Sequence, residues 1–566
     1  MCGMIATPTA RRSIARAFPN RTDVSTTPRI RPLCRRQPRW LAALCAGAVL
    51  ATSVCPATVA QVNLPALGDT ESEDFGIGTE RKLGDQVMRE IRRDPDYLDD
   101  PVLLDYIESL WEPLMAQARA SGNISADVDQ RFAWETFLVR DRAINAFALP
   151  GGYVGVYLGL IALTTSRDEL ASVLAHELSH VTQRHIARSI AVGKRQSLIG
   201  AAAMILGVLA AARSNSVDAA NALIVGGQAA AIQGQLNFSR DMEREADRIG
   251  FSLLTGSGFA PGGMAAMFEK LDQSSRLNDS GAFPYLRSHP LSSERIGEAR
   301  SRLGTGQLSA ARPDFEHALA QARARVLMDS RVDALRRWQA MDSDRPGATP
   351  AEHLGAAYSS ALASTLLRDW PRADAALTLA TRLANGDGRG VRVARSVALL
   401  AAQSLFERGD AARAAAALQP FVDGTSRPAM LLEAQVALAL ATRAPGAAGT
   451  SSADAATHTA ALKRSADRLQ TWLALHPRDA AAWAQLGQAW GHLGQPLRAM
   501  RAEAEVRLAL GDLNGAVDRL RAGQRSARSG ATVDFIDASV IDARLRQIEV
   551  QRRQIAADER AANESR

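Results

Sequence analysis

The sequence predicts a mainly α-helical protein with an α+β part that contains a small sheet, followed by an all-helical part. With 46% hydrophobic and 22% charged residues among 566, the chain can bury sizeable cores, which excludes a disordered protein. Helical and strand-like patterns mix up to about residue 302, whereas an alanine-, leucine- and arginine-rich helical pattern dominates beyond residue 309. We therefore expect a leader over 1–60 and domains over 61–305 and 306–566.

The leader has the order of a secretory signal. Arginines precede an uncharged apolar run from Trp40 to Val54, and small residues follow up to Ala60. Cleavage is expected after Ala60, with an uncleaved anchor as the alternative, and we predict export to the periplasm. The chain has a formal charge of +7, and the first 40 residues hold nine arginines. The positive charge therefore belongs to the leader, so it does not indicate a nucleic-acid partner for the rest of the chain. All four cysteines also lie in the leader, so a processed chain forms no disulfide.

The elements of the first part follow from hydrophobic periodicity. Amphipathic helices are predicted over 75–93 and 98–120. Residues 131–139 alternate as a strand does, and residues 145–157 are predicted to be extended and bent at a Pro-Gly-Gly turn. A further helix is predicted to open at Ser166, with a glutamate three residues later completing a capping box.

This last helix carries the run His176-Glu177-Leu178-Ser179-His180. Histidines four residues apart lie on one helix face, so both imidazoles can bind one metal ion. Glu177 can take a proton from a metal-activated water and pass it to a leaving amine. The pattern indicates a zinc peptidase with one Zn²⁺ per chain.

A catalytic zinc of this kind requires a third protein ligand, and an acidic helix over 238–247 can supply it. Glu243 and Asp247 share a face, so Glu243 could bind the metal while Asp247 hydrogen-bonds a ligand or an arginine. Spacing alone does not separate Glu243 from Asp241, and a solvated charged helix is the alternative. Glu245 is expected to point elsewhere.

Four separated motifs resemble peptidase family M48 over about residues 74–302. They lie at 145–153, 176–185, 243–247 and 288–296. The resemblance implies a gluzincin-like zinc peptidase domain with Glu243 as the third ligand. It also places Asp247 with Glu177 in the catalytic set.

Two more histidines lie within these motifs. His185 follows His180 by five residues, which rotates it away from the metal face of a continuous helix and predicts a structural role. His289 precedes Pro290 and is therefore held in an extended loop, which the resemblance places near the active site. His289 is either a regulatory fourth ligand that closes the zinc site or a residue that contacts the substrate or another ligand.

The resemblance places part of the extended segment at a sheet edge beside the active site. The candidate substrate-binding residues are Asn145, Ala146, Phe147, Gly151 and Gly152. A peptide that adds a strand to such an edge is held through its backbone, so we expect unfolded or misfolded proteins as substrates.

Two small-residue, apolar stretches, 198–212 and 219–232, lie between the zinc motifs. Each is too short to span a bilayer, and polar residues at 213–216 separate them. The stretches predict either a lid over the cleft or peripheral contact with a membrane surface, and they disfavour a membrane-integrated protease.

The all-helical part is predicted to be a solenoid of tetratricopeptide-like (TPR) repeats. Its best match to the repeat signature consists of Trp483, Leu486, Gly487, Trp490 and Ala499. Generic alanine-rich helices are the alternative. Stacked helix pairs form a curved surface suited to binding another protein. This domain order resembles M48 members that degrade misassembled outer-membrane proteins, act as chaperones and work near the barrel-assembly machinery. A non-catalytic scaffold is the competing interpretation, and the complete motif residues argue against it.

Overall fold

The computed structural model describes part of the chain in residue detail. These residues are 75–192, 202, 205–207, 239–277, 283–303, 314–342, 346–386, 389–422, 424–442, 451–529 and 534–564. The predicted leader over 1–60, and the apolar stretches apart from residues 202 and 205–207, lie outside them. The mainly α-helical fold class with a small sheet is confirmed.

Ten helices and four strands precede residue 305 in the described part of the chain. The helices are α1 Ile77–Ile91, α2 Pro101–Ala120, α3 Ala126–Arg131, α4 Leu158–Leu163, α5 Arg167–Thr182, α6 His185–Val192, α7 Arg240–Gly256, α8 Gly262–Leu277, α9 Pro284–Ser288 and α10 Ser293–Ser301. The strands are β1 Tyr97–Leu98, β2 Glu135–Val139, β3 Ala146–Leu149 and β4 Tyr153–Tyr157.

Twelve α-helices follow among the described residues after 314. They are α11 Phe315–Leu327, α12 Val332–Gln339, α13 Pro350–Leu366, α14 Trp370–Ala384, α15 Gly390–Glu407, α16 Ala411–Leu418, α17 Arg427–Ala441, α18 Ser452–Leu475, α19 Ala480–His492, α20 Pro496–Ala509, α21 Leu513–Ser529 and α22 Phe535–Glu564. Short 3₁₀ helices occupy Ala340–Asp342 and Gln419–Phe421.

The four strands form one sheet in the order β1-β2-β4-β3. Strand β2 pairs in parallel with β4, and β3 pairs antiparallel with β4, so β3 lies at one edge of the sheet. The turn between β3 and β4 uses Gly151 and Gly152 at φ 77° and 89°. A Cβ at Gly152 would lie 2.9 Å from the Cβ of Phe132, so both backbone conformation and space require glycine there.

The predicted strand over 131–139 is shorter than expected. Ser125 caps α3 by accepting a hydrogen bond from the Val128 amide, which keeps the chain helical through Arg131. Trp134 then adopts φ 51°, a left-handed conformation that no strand contains. Strand β2 therefore begins at Glu135.

Helix α5 begins where the sequence predicts. The Ser166 side chain accepts a hydrogen bond from the Glu169 amide. The Glu169 carboxylate does not complete the capping box, because it accepts hydrogen bonds from the amide and hydroxyl of Thr165 instead. Helix α5 packs against α7, α8 and β3. A Cβ at Gly250 of α7 would lie 3.2 Å from the Cα of His176, so this glycine permits the close approach of the two motif-bearing helices.

In the helical part, helices that are adjacent in the chain are also adjacent in space. From α13 to α22, each helix packs against the next helix in the chain. The predicted repeat residues Trp483, Leu486 and Trp490 are buried on α19, and Gly487 packs close to Ala502 of α20. None of the helices that the structure describes is long and apolar enough to cross a membrane.

The first helix of this part, α11, packs against α2 and α4 through buried polar contacts. His317 of α11 lies between the hydroxyl of Tyr106, 2.7 Å from its Nδ1, and the carbonyl of Thr164, 3.0 Å from its Nε2. Nε2–H can donate only to that carbonyl, so the Tyr106 hydroxyl donates to Nδ1. Burial lowers the pKa of His317, which is consistent with a neutral ring.

Arginines of the helical part also pair with aspartates at the start of α2. Arg323 donates to both carboxylate oxygens of Asp100, at 2.8 and 2.7 Å. Arg392 and Arg395 pair with Asp105 at 3.1 and 2.8 Å. Helix α2 therefore contacts the helical part through buried or partly buried ion pairs. The predicted domain boundary near residue 305 stays a prediction.

Candidate metal centre

Four buried side chains from three segments meet at one point. They are His176 and His180 of α5, Glu243 in the first turn of α7, and His289 directly after α9. Each contributes one ligand atom, and these atoms all lie within 4.8 Å of one another. All four residues are 2% exposed or less.

The distances between the ligand atoms fit a tetrahedral metal ion. His176 Nε2 lies 3.0 Å from His180 Nε2 and 3.3 Å from His289 Nδ1. Glu243 Oε1 lies 2.9 Å from His289 Nδ1 and 3.4 Å from His180 Nε2. Atoms about 2.0–2.1 Å from a tetrahedral zinc are roughly 3.3 Å apart. The donor set is therefore spaced for one divalent ion with four protein ligands.

Asp241 and Glu243, the two candidates for the third ligand, differ in solvent exposure. The Asp241 side chain is 90% exposed and pairs with Arg244 at 2.9 Å. Glu243 is buried among the three histidines. Burial alone would raise the pKa of Glu243, but His289, His176 and His180 hold it far below its ordinary value. Glu243, and not Asp241, is therefore the α7 carboxylate that lies in the candidate donor set.

Glu177 lies beside this donor set and is fully buried. Among the described residues, neither of its carboxylate oxygens has a hydrogen-bond partner. His289 Nε2 lies 3.5 Å from Glu177 Oε1. A buried carboxylate without a hydrogen-bond partner is costly, and it is expected where a water or substrate atom binds.

Asp247 lies on the far side of His176 from the donor set. Its Oδ1 is 3.0 Å from His176 Nδ1. Arg295 donates to both Asp247 oxygens at 2.7 and 2.8 Å, and its Nη1 also lies 2.8 Å from Glu243 Oε2. Burial would raise the pKa of Asp247, but Arg295 and His176 lower it. The geometry suits Asp247 to orienting His176, with Arg295 linking it to Glu243.

The two motif histidines have different electrostatic surroundings. Burial lowers the pKa of His180 well below its ordinary value. Burial would also lower the pKa of His176, but Asp247 and Glu243 together raise it to about 10. A metal ion at this point would bind each imidazole through a nitrogen that carries no proton.

Sequence reasoning missed the contacts of His185 and Glu245. His185 Nδ1 lies 3.0 Å from His180 Nδ1, and His185 Nε2 lies 3.1 Å from Glu245 Oε2. The predicted rotation away from the metal assumed one continuous helix, but α5 ends at Thr182 and Arg184 has φ 52°. Tyr285 was also missed. Its ring stacks on His289 with centroids 4.7 Å apart.

The predicted substrate-binding residues lie along β3 and its turn. Asn145 is buried at the start of β3, where the neighbouring Ile144 carbonyl accepts a hydrogen bond from the amide of Tyr285 in α9. Ala146 and Phe147 belong to the edge strand. Gly151 and Gly152 lie at its opposite end, and their carbonyls accept from the amides of Ala133 and Glu135. The segment adjoins the metal-site loop at the Asn145 end.

Two histidines and a glutamate lie on one helix, and a glutamate from a second helix lies beside them. This arrangement is typical of zinc peptidases. Residues 106–303 match the model of Peptidase family M48. The beta-barrel assembly-enhancing protease of Escherichia coli K12 is 33% identical over 294 residues, which cover 50% of this chain and 57% of that protein.

Other relatives match shorter parts of the chain. The beta-barrel assembly-enhancing protease of Yersinia pestis is 37% identical over 246 residues, 43% of this chain and 48% of that protein. The mitochondrial metalloendopeptidase OMA1 of Schizosaccharomyces pombe is 33% identical over 184 residues, 32% of this chain and 51% of that protein. The chain thus spans about half the length of these relatives.

Proposed function

We propose that the protein is a zinc-dependent endopeptidase that cleaves unfolded or misassembled proteins. The observation that carries this proposal is the buried set of His176, His180, Glu243 and His289 around one point. Beside it lies the carboxylate of Glu177, which accepts no hydrogen bond from the described residues. A zinc ion bound there would acidify a water molecule and polarise the scissile carbonyl.

The protein's own residues then have separate tasks. Glu177 accepts the proton of the attacking water and passes it to the leaving amine. Asp247 holds His176 in orientation through the 3.0 Å approach to its Nδ1, and Arg295 fixes Asp247 through two hydrogen bonds. Asp247 acts as a positioning residue, because its carboxylate faces the ligand and the arginine.

The proposed substrate binds at the edge strand β3. Among the strands that the structure describes, β3 pairs only with β4, so its other edge could accept an added strand. The Asn145 end of β3 adjoins α9, and α9 leads directly into His289. Backbone hydrogen bonding to an edge strand requires an extended chain and is nearly independent of its side chains. Folded proteins are therefore expected to resist cleavage.

The compartment, substrates and partners of this activity are proposed from the sequence and from the named relatives. The leader suggests export to the periplasm. Relatives named for beta-barrel assembly support outer-membrane proteins as substrates and the barrel-assembly machinery as a partner. We assign TPR-like partner binding and chaperone-like activity to the helical region over 306–566, and peripheral membrane contact to the apolar stretches. No nucleic-acid partner is proposed.

Removal of the metal should abolish cleavage. The purified protein is expected to contain about one zinc per chain, because the donor set is spaced for a single ion. Dialysis against a chelator should stop cleavage of unfolded casein, and one equivalent of Zn²⁺ should restore it. A tightly folded protein of similar size serves as the control substrate. Full activity in protein shown to be metal-free by elemental analysis would refute the proposed chemistry.

Replacing His289 by alanine should increase the resting activity severalfold. Four protein ligands close a zinc site, whereas three leave one position for water or substrate. The zinc content of His289→Ala should stay near that of the wild type because His176, His180 and Glu243 remain. His492→Ala, at an exposed position on α19, is the matched control. A zinc-loaded but inactive His289→Ala protein would contradict a purely inhibitory role for His289.

A further inference from the structure

The turn after α5 brings a fourth histidine behind the proposed metal ligand His180. Helix α5 ends at Thr182, Arg184 adopts φ 52°, and a new helix begins at His185. This reversal places the His185 ring against the His180 ring, with centroids 4.8 Å apart and an interplanar angle of 78°. His185 is fully buried.

The contacts of His180 determine which of its nitrogens carries the proton. Its Nε2 faces the other ligand atoms, 3.0 Å from His176 Nε2 and 3.4 Å from Glu243 Oε1. A nitrogen that binds a metal has no proton, so the proton of neutral His180 resides on Nδ1. That Nδ1–H lies 3.0 Å from Nδ1 of His185, which must therefore accept the hydrogen bond.

The tautomer of His185 follows from the same argument. With Nδ1 accepting, the proton of His185 resides on Nε2, which lies 3.1 Å from Glu245 Oε2 and donates to it. Arg188 donates to the same oxygen at 3.2 Å, which balances the carboxylate charge. Donors and acceptors therefore match at every step of the chain from His180 through His185 to Glu245.

We propose that His185 is a positioning residue that fixes the tautomer and ring orientation of the metal ligand His180, with Glu245 as its anchor. Hydrogen-bond partners behind metal ligands typically contribute 10–100-fold to metal affinity. The inference rests on the proposed zinc-dependent function. It adds an explanation of how the tautomer and ring orientation of His180 are set for zinc binding.

The test compares two substitutions of His185 in the full-length protein. His185→Gln keeps an amide oxygen that can accept from His180 and an amide N–H that can reach Glu245. His185→Leu is of similar size but has neither group. Zinc affinity is measured by competition with a chromophoric chelator. We expect roughly a 10–100-fold loss for His185→Leu and at most about a threefold loss for His185→Gln. The visible spectrum of the Co²⁺-substituted protein should change only in His185→Leu.

Glu245→Gln provides a second variant that does not disturb the core, because its side chain is 32% exposed. We expect a smaller loss of zinc affinity, about threefold to tenfold. Asp241→Asn on the same helix is the matched control, since its side chain is 90% exposed, and it should bind zinc as the wild type does.

The outcomes separate this inference from the proposed function. Equal zinc affinity in wild type, His185→Leu and Glu245→Gln would overturn the positioning role and leave the peptidase proposal intact. Equal losses in His185→Leu and His185→Gln, accompanied by a lower melting temperature of the metal-free protein, would show a merely structural role. A wild-type protein that binds no zinc would overturn the proposed function together with this inference.

Discussion

Glu177→Gln should lower the rate of casein cleavage by about 10²–10⁴-fold, the usual contribution of a general base. The carboxamide has nearly the same shape as the carboxylate but accepts no proton from the attacking water. Zinc content should stay at the wild-type value, because the four ligand atoms belong to other residues. Initial rates and elemental analysis on the same preparation test both expectations.

Two comparisons make this experiment decisive. Glu294→Gln carries the same chemical change at a side chain that is 65% exposed, and it should retain full activity. Equal activity of Glu177→Gln and wild type would favour the scaffold interpretation, in which the peptidase site is vestigial. Because the variant should hold substrates without cleaving them, proteomics of the captured material would also identify substrate and partner. The absence of outer-membrane proteins from that material would argue against the proposed substrate class.

Arg323→Met should destabilise the protein by about 3–5 kcal/mol, the typical effect of removing one partner from a buried ion pair. Arg323 and Asp100 have side chains that are 6% and 9% exposed, and their contact is bidentate. The substitution leaves the Asp100 carboxylate buried with the Leu103 amide as its remaining donor. Chemical denaturation monitored by circular dichroism measures the loss, and hydrogen exchange should show weakened protection in α2 and α11.

The double variant Arg323→Met with Asp100→Ser separates ion pairing from packing. Serine keeps an oxygen to cap α2 but carries no charge, so the double variant should recover part of the lost stability. Arg276→Met is the matched control, because the side chains of Arg276 and its partner Asp272 are 73% and 31% exposed, and its effect should lie within about 0.5 kcal/mol. If the double variant is less stable than Arg323→Met, the buried Asp100 carboxylate without its arginine partner is not the cause of the destabilisation.

Those parts of the site that follow from local periodicity could be predicted from the sequence. Ser166 fixes the start of α5, and the four-residue spacing of His176 and His180 places both rings on one face. Spacing alone did not separate Glu243 from Asp241, because both lie in the first turn of α7. The difference between them is burial, which depends on where α7 packs against α5.

The features that the sequence did not reveal depend on single backbone torsions and on tertiary contacts. The role of His185 was hidden because Arg184 adopts φ 52° and interrupts the helix. The shortened β2 has a similar cause at Trp134, with φ 51°. Non-glycine residues rarely adopt such values, and tertiary packing selects where they do. The docking of α11 on α2 joins positions more than 200 apart in the chain, which no local pattern encodes.

His317 of the helical part contacts the short segment that leads into α5. Its Nε2 donates to the carbonyl of Thr164, two residues before the Ser166 cap of α5, while its Nδ1 accepts from Tyr106 of α2. A chain cut after residue 303 would leave a buried hydroxyl and a buried carbonyl without these partners and expose the apolar surface around them. We therefore expect the region before residue 303 to be less stable when it is cut from the helical part than in the full chain.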